Sequence, residues 1–401
     1  VAGGWDEGRW RSSEYLARQE LDRVVPLGPA LAVRVDGHLL VANSAALERK
    51  DVQAALAVWP QSVDADRGLV WEEAASALRR LARPNPEELV EAVRAAAKLC
   101  HRLGITGTHV MAAADEIEVL FEEAAASRIR LQVYPPVRLL DQLVGEGLCT
   151  GDGSDWARWG GVKLFADGSV GARNAAMHAP YLDGGCGSLN YEDHELAELI
   201  GRADRRGWQT AIHAIGDRAI EQVIATHERV GTKPELRHRV EHFEFPDRVQ
   251  IERAARVGLS ACMQPNFTGN WSGPGKLYDR ALGGERDVRS NPLRAVLAAG
   301  MPLGFGSDGM PLSPAYGIRS AIASAVESQR LTLPEALTAY TSGAARLAGC
   351  EEDLGEIRPG IPADLVVVGR AAFEPWRSLS ETEVSLTLVG GERAYQRLED
   401  R

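Results

Sequence analysis

The sequence of 401 residues contains five cysteines, Cys100, Cys149, Cys186, Cys262 and Cys350, and no C-x-x-C pair. An odd, scattered set argues against a disulfide framework and predicts reduced thiols in a cytoplasmic protein. No run is long and apolar enough to span a bilayer, and no charged-then-apolar leader opens the chain, so no membrane partner is expected. Positive charge is in deficit: 45 Lys and Arg against 56 Asp and Glu leave a formal net charge of -11. That balance excludes a broad basic face for nucleic acid. The glycine-bearing phrases IHAIGD and FADGSVG lack the spacing of a phosphate cradle. There is no initiator Met, because the chain opens Val-Ala-Gly-Gly-Trp in mid-phrase, and none of the nine histidines forms a His-x-His.

What is present is a regular alternation. Pro84-Asn85-Pro86 predicts a helix start, running through EELVEAVRAAAKLCHRLG to a C-cap at Gly104. From ITGTHVM onward, seven short apolar runs alternate with amphipathic segments, and most of those segments end at glycine. Near-continuous apolar strands joined by helices predict a parallel sheet covered by helices. A closed barrel of this kind has eight strands, so one appears to be missing ahead of Val1. Residues 1–50 read as irregular, with one strand-like run near 30–41. After residue 350 short β-runs with glycine turns take over. The reading is therefore a TIM-like (β/α)8 barrel over 1–350, lacking its first strand, and a small β appendage over 351–401.

Four chemistry-bearing side chains stand at or near the ends of these strand runs: Lys163 in GGVKLFADGS, His213 in WQTAIHAIGD, His242 in LRHRVEHFEF and Asp308 in MPLGFGSDGM. A barrel gathers its strand C-termini at one mouth, so the four are expected to converge. Imidazoles on adjacent strands can share a divalent ion such as zinc, and a carboxylate beside them can accept and return a proton. Each has a plainer reading: core or capping histidines, an Asx-turn aspartate, a lysine paired with Asp167 or snorkelling to the mouth. Asp167, Gly168, Ser169 and Arg173 follow the lysine strand and either meet substrate or shape the turn. Tyr181, Gln264 and Asn266 are further pocket candidates. His109 reads as a surface or supporting residue, and His178 stays undecided. His101, His194, His227 and His238 read as solvated.

The phrases GWDEGRW, RVDGHLLVANSAAL, VKLFADGSVGARNAAMHAPYLD, IHAIGDRAI, RVEHFEF, QPNF, GFGSDGMPLSPAYGI, LTLPEALTAYTSGAAR and GEIRPGIPADLVVV follow one another along nearly the whole chain. In that order they resemble the amidohydrolase superfamily, in the branch called amidohydrolase family 3 or YtcJ-like. The resemblance implies a metal-dependent hydrolase barrel with a β-sandwich built from both chain ends, acting on non-peptide C–N bonds of a small amide-like molecule, such as an N-acyl or N-formyl amine. It implies one or two divalent ions held by Lys163, His213, His242 and Asp308, with Lys163 carbamylated by carbon dioxide and Asp308 moving the proton. His38, in VDGH, corresponds to a position facing the site, beside Asp167 and Arg173 as substrate contacts. The family's His-x-His strand lies upstream of GWDE and would supply two further ligands. A homo-oligomer is compatible with this reading. A non-catalytic barrel serving as a scaffold, and a lyase or isomerase using the same mouth, are the alternatives.

Overall fold

The computed structural model describes residues 1–10, 14–82, 84–374 and 384–397. The chain begins with a five-stranded sheet of order β1-β2-β3-β5-β4, made of β1 (Ala2–Trp5), β2 (Leu31–Arg34), β3 (Leu39–Ala42), β4 (Val63–Asp64) and β5 (Leu69–Trp71). The strand-like run near 30–41 is thus a hairpin, β2–β3, at the centre of a sheet of its own. This sheet lies within the 1–350 stretch that the sequence reads as barrel. Its other strands are two to four residues long, too short for alternation to register. Leu40, Val70, Ala74 and Leu78 fill one face of the sheet, while Leu39, Val41 and Leu69 pack against Trp5, Tyr15 and Leu21 on the other.

The barrel follows. β6 (Gly107–Met111), β7 (Arg130–Tyr134) and β8 (Ala157–Trp159) form a parallel three-stranded sheet. β9 (Val162–Phe165), β10 (Thr210–Ala214), β11 (Arg239–His242), β12 (Ser260–Met263) and β13 (Leu303–Phe305) form a parallel sheet in chain order. Gly160 and Gly161 separate β8 from β9. A Cβ at Gly160 would lie 2.3 Å from the Tyr134 ring, so only glycine lets the strand pass there. A bridge from Pro136 to Lys163 carries the wall across the break.

The helix foreseen at Pro84-Asn85-Pro86 spans Pro86–Arg102, with Asn85 and Glu88 exchanging a capping box. Leu164, Ile212, Val240 and Ala261 point outward into one continuous core shared with the covering helices. Among the described residues β6 pairs only with β7 and β13 only with β12. β7 is buried along its length, whereas β6 is half-buried or exposed at every position.

β14 (Leu365–Val368), β15 (Val384–Val389) and β16 (Glu392–Gln396) form a small antiparallel sheet. It is fastened to the barrel by Arg130 to Asp364 at 2.6 Å and by Thr387 Oγ1 donating to His101 O at 2.7 Å. Residues 375–383 and 398–401 of the expected appendage lie outside the described residues.

Three histidines read as solvated are buried instead: His101, His227 and His238. Their helical or hinge contexts concealed specific partners. His238 Nδ1 accepts from Thr210 N at 3.0 Å, His227 meets Thr232 Oγ1 at 3.0 Å, and His101 Nε2 donates to Arg128 O at 3.0 Å. His109 faces the barrel interior, where its Nδ1 accepts from Arg239 at 2.8 Å.

Candidate active site

Register decides which side chains enter the barrel. In parallel neighbours, paired residues point the same way. Lys163 pairs with Ala211, which pairs with Arg239; Phe165 pairs with His213, which pairs with Glu241. Lys163 therefore enters the barrel one layer below His213. His242 pairs with Ala214, on the helix side by this parity. Its φ of 70°, followed by 50° at Phe243, breaks the alternation and swings the imidazole inward. The His242 ring ends 4.5 Å from that of His213. Asp308, after β13, is also left-handed at φ 50°. Its loop is clamped by Asn266 Nδ2, which donates to Ser307 O at 2.7 Å and to Met310 O at 2.6 Å. Non-glycine residues held in this region carry about 1–3 kcal/mol of strain, sustained by such clamps and concentrated at functional sites.

Both histidines have one ring nitrogen committed. His213 Nε2 donates to Gly168 O at 3.0 Å, and His242 Nδ1 donates to Gln264 Oε1 at 2.8 Å. Each bond fixes the tautomer, leaving His213 Nδ1 and His242 Nε2 as bare lone pairs among the described residues. An outer N–H held by an oxygen acceptor is the hallmark of metal-ligating imidazoles. Burial drives both pKa values down, His242 to about 3, with neighbouring cations adding to the effect. The rings are neutral, as ligation requires.

Lys163 is buried and makes no ion pair among the described residues; its Nζ lies 4.5 Å from the Phe165 ring centroid. Burial lowers its pKa to about 8, against the pull of Glu241 and Asp308. Burial also raises Asp308 to about 6, with Lys163 and His38 opposing. Lys163, His213, His242 and Asp308 line one cavity of about 1300 Å³ that runs on past β6 to Val366 and Val384. Among the described residues no three His, Cys, Asp or Glu side chains are gathered to hold an ion by themselves.

The N-terminal sheet roofs this mouth. His38 lines the cavity, with its ring 5.3 Å from that of His213. Its Nδ1 meets Glu72 at 2.9 Å. Burial opposes its charge, but Glu72 and Asp36 outweigh burial and raise its pKa. The other two expected contacts are placed elsewhere. Asp167 is fully buried, accepting from Ala176 N, Ile215 N and Gly216 N, so its carboxylate ties two mouth loops together. Arg173 is bound to Asp183 at 2.9 Å and to Val170 O, outside the cavity lining.

Sequence reasoning missed Glu72 and the buried set beneath the mouth. Arg239 contacts Glu241 at 2.5 Å and stacks 4.3 Å from the Tyr134 ring, and Glu244, raised to about 8 by burial, accepts from Tyr278. The interleaving of charged with apolar residues in RVEHFEF was the available signal.

A helix-covered parallel barrel whose mouth gathers two imidazoles, a buried lysine and a carboxylate has the architecture of the amidohydrolase fold. The model of the amidohydrolase family matches residues 1–395, and the chain belongs to that family. It is 29% identical to Bacillus subtilis (strain 168) YtcJ, an amidohydrolase by name, over 99% of this chain and 80% of that protein. It is 26% identical to the N-substituted formamide deformylase of Arthrobacter pascens, over 96% of this chain and 77% of the relative. The crystal structure of an uncharacterized metal-dependent hydrolase from Pyrococcus horikoshii OT3 superposes with a TM-score of 0.72 at 27% identity, covering 90% of this chain and 74% of that one.

Proposed function

We propose that this protein hydrolyses a non-peptide C–N bond of a small amide-like molecule, an N-formyl or N-acyl amine, with a divalent ion such as zinc. The observation carrying this reading is the pair of bare ring nitrogens, His213 Nδ1 and His242 Nε2, on histidines whose other nitrogens are held by Gly168 and Gln264. Neutral imidazoles are the donor chemistry such an ion takes, and the two would hold it with Lys163 and Asp308. The ion supplies Lewis-acid polarisation of the carbonyl and lowers the pKa of water.

The chain's own residues do the rest. A buried lysine lowered to about 8 is neutral often enough to add to carbon dioxide, its Nζ losing one proton and the product becoming an anionic, carboxylate-like ligand. Asp308, near 6, accepts a proton from the attacking water and returns it to the leaving nitrogen. Asp167 and Arg173 shape the mouth loops. The N-substituted formamide deformylase among the relatives supports the choice of formamides as first substrates. Five unpaired thiols support placement in the cytoplasm.

The test is metal content and turnover of N-cyclohexylformamide by the full-length protein. Asp308→Asn is expected to lower kcat by roughly 10²–10⁴ at matched zinc occupancy. A metal-free protein that zinc does not activate toward any N-formyl or N-acyl amine would leave the scaffold reading standing instead.

A further inference from the structure

The roof carries a histidine with the same signature as the two on the wall. His38 Nδ1 lies 2.9 Å from one Glu72 oxygen and 3.2 Å from the other. A carboxylate only accepts, so Nδ1 carries the proton and Nε2 is the polar atom the ring has left for the cavity. His38, Phe165 and His213 pack together, with the Phe165 and His213 centroids 6.4 Å and 5.3 Å from that of His38, which sets the ring beside His213 on the wall of the same cavity. Its holder is itself held from the barrel: Asn174, in the loop after β9, donates to Glu72 Oε1. A second latch joins the same two parts, since Ser169 Oγ donates to Asp36 Oδ2 at 2.7 Å and Asp36 accepts from His38 N. Two hydrogen bonds from one barrel loop thus fix the height and tilt of one roof imidazole.

We propose that His38 is the group through which the roof hydrogen-bonds the scissile acyl–nitrogen unit of the substrate, with Glu72 as its positioning residue, so that substrate is held between roof and wall. This rests on the hydrolase reading above. Orientation of this kind matters because a displacement of about 1 Å at a reacting centre costs on the order of a hundredfold in rate.

The experiment compares zinc-loaded full-length wild type with His38→Gln, His38→Phe, Glu72→Gln and Glu72→Ala, using N-cyclohexylformamide as the probe. Both His38 variants are expected to lose roughly a hundredfold in kcat/KM, with zinc stoichiometry and Tm unchanged. Glu72→Gln, whose amide oxygen still accepts from Nδ1, should stay within about tenfold of wild type. Glu72→Ala should fall to the level of the His38 variants, a rescue pattern that a merely structural glutamate would not give. Turnover unchanged in both His38 variants overturns this inference and leaves the hydrolase reading intact. Loss of bound zinc in His38→Gln at unchanged Tm also overturns it, by making His38 a metal ligand. No turnover in the zinc-loaded wild type overturns both.

Discussion

In the wall of β9, β10 and β11, three buried polar side chains are left incomplete beside the closed Arg239–Glu241 pair: among the described residues Lys163 has no ion-pair partner, and His213 and His242 each keep a bare ring nitrogen. In the roof, buried charge is matched. Arg34 meets both oxygens of Glu7 at 2.8 and 2.9 Å and Asp36 at 2.6 Å. Burial alone would lower the Arg34 pKa, yet Asp36 and Glu7 raise it. The contrast separates two uses of buried charge. Completed pairs hold architecture. Incomplete ones mark where a ligand finishes the coordination or the hydrogen bonding.

The contrast is most directly broken in the roof. Arg34→Met leaves Glu7 and Asp36 buried without their cation, and removing one partner of a buried pair costs about 3–5 kcal/mol. Chemical denaturation should show that loss, and the roof should open first, seen as faster amide exchange in β2 and β3. Lys163→Met should cost far less in stability, since no carboxylate is stranded by it. Equal losses from the two variants would erase the distinction.

The same contrast explains what the sequence disclosed. Lys163 and His213 could be placed because each interrupts or ends an apolar strand run flanked by glycine or polar residues, and the barrel topology brings such positions together. The roof network draws on residues 7, 34, 36, 72, 169 and 174, from separate segments with no shared period. Only the folded sheet assembles them. Asp167 illustrates the converse: its position after a strand suggested a ligand contact, but three backbone N–H groups claim it. The swing of His242 into the mouth was equally hidden, because parity would have placed it among the helices.

A second way to sharpen the comparison acts on the wall without touching a ligand atom. Gln264→Ala removes the acceptor of His242 Nδ1–H, freeing the tautomer and the ring. Loss of such an outer partner typically weakens metal affinity by about 10–100-fold. Competition with a chelator should show that drop with Tm of the metal-free protein nearly unchanged. Unaltered zinc affinity would mean that His242 is held by packing against Phe267 rather than by this bond.

The smallest expected effect concerns a third kind of buried histidine, one with no ligand to wait for. His227 is fully buried, its Nε2 has no hydrogen-bond partner among the described residues, and the His238 ring lies 5.1 Å away. Burial first, and His238 second, push its pKa well below the ordinary value. Between that depressed value and the unfolded one, about 6.5, the unfolded chain binds the proton and the folded protein does not. Stability therefore rises with pH up to about 6.5 and is lost as pH falls below it, by at most about 1.4 kcal/mol per unit for this one group. His227→Gln keeps a partner for Thr232 but has nothing to titrate. Its denaturation midpoint should fall less steeply than that of wild type between pH 6.5 and 5, while the two curves run parallel above pH 7. Identical slopes would mean that His227 contributes nothing to the acid sensitivity of the fold.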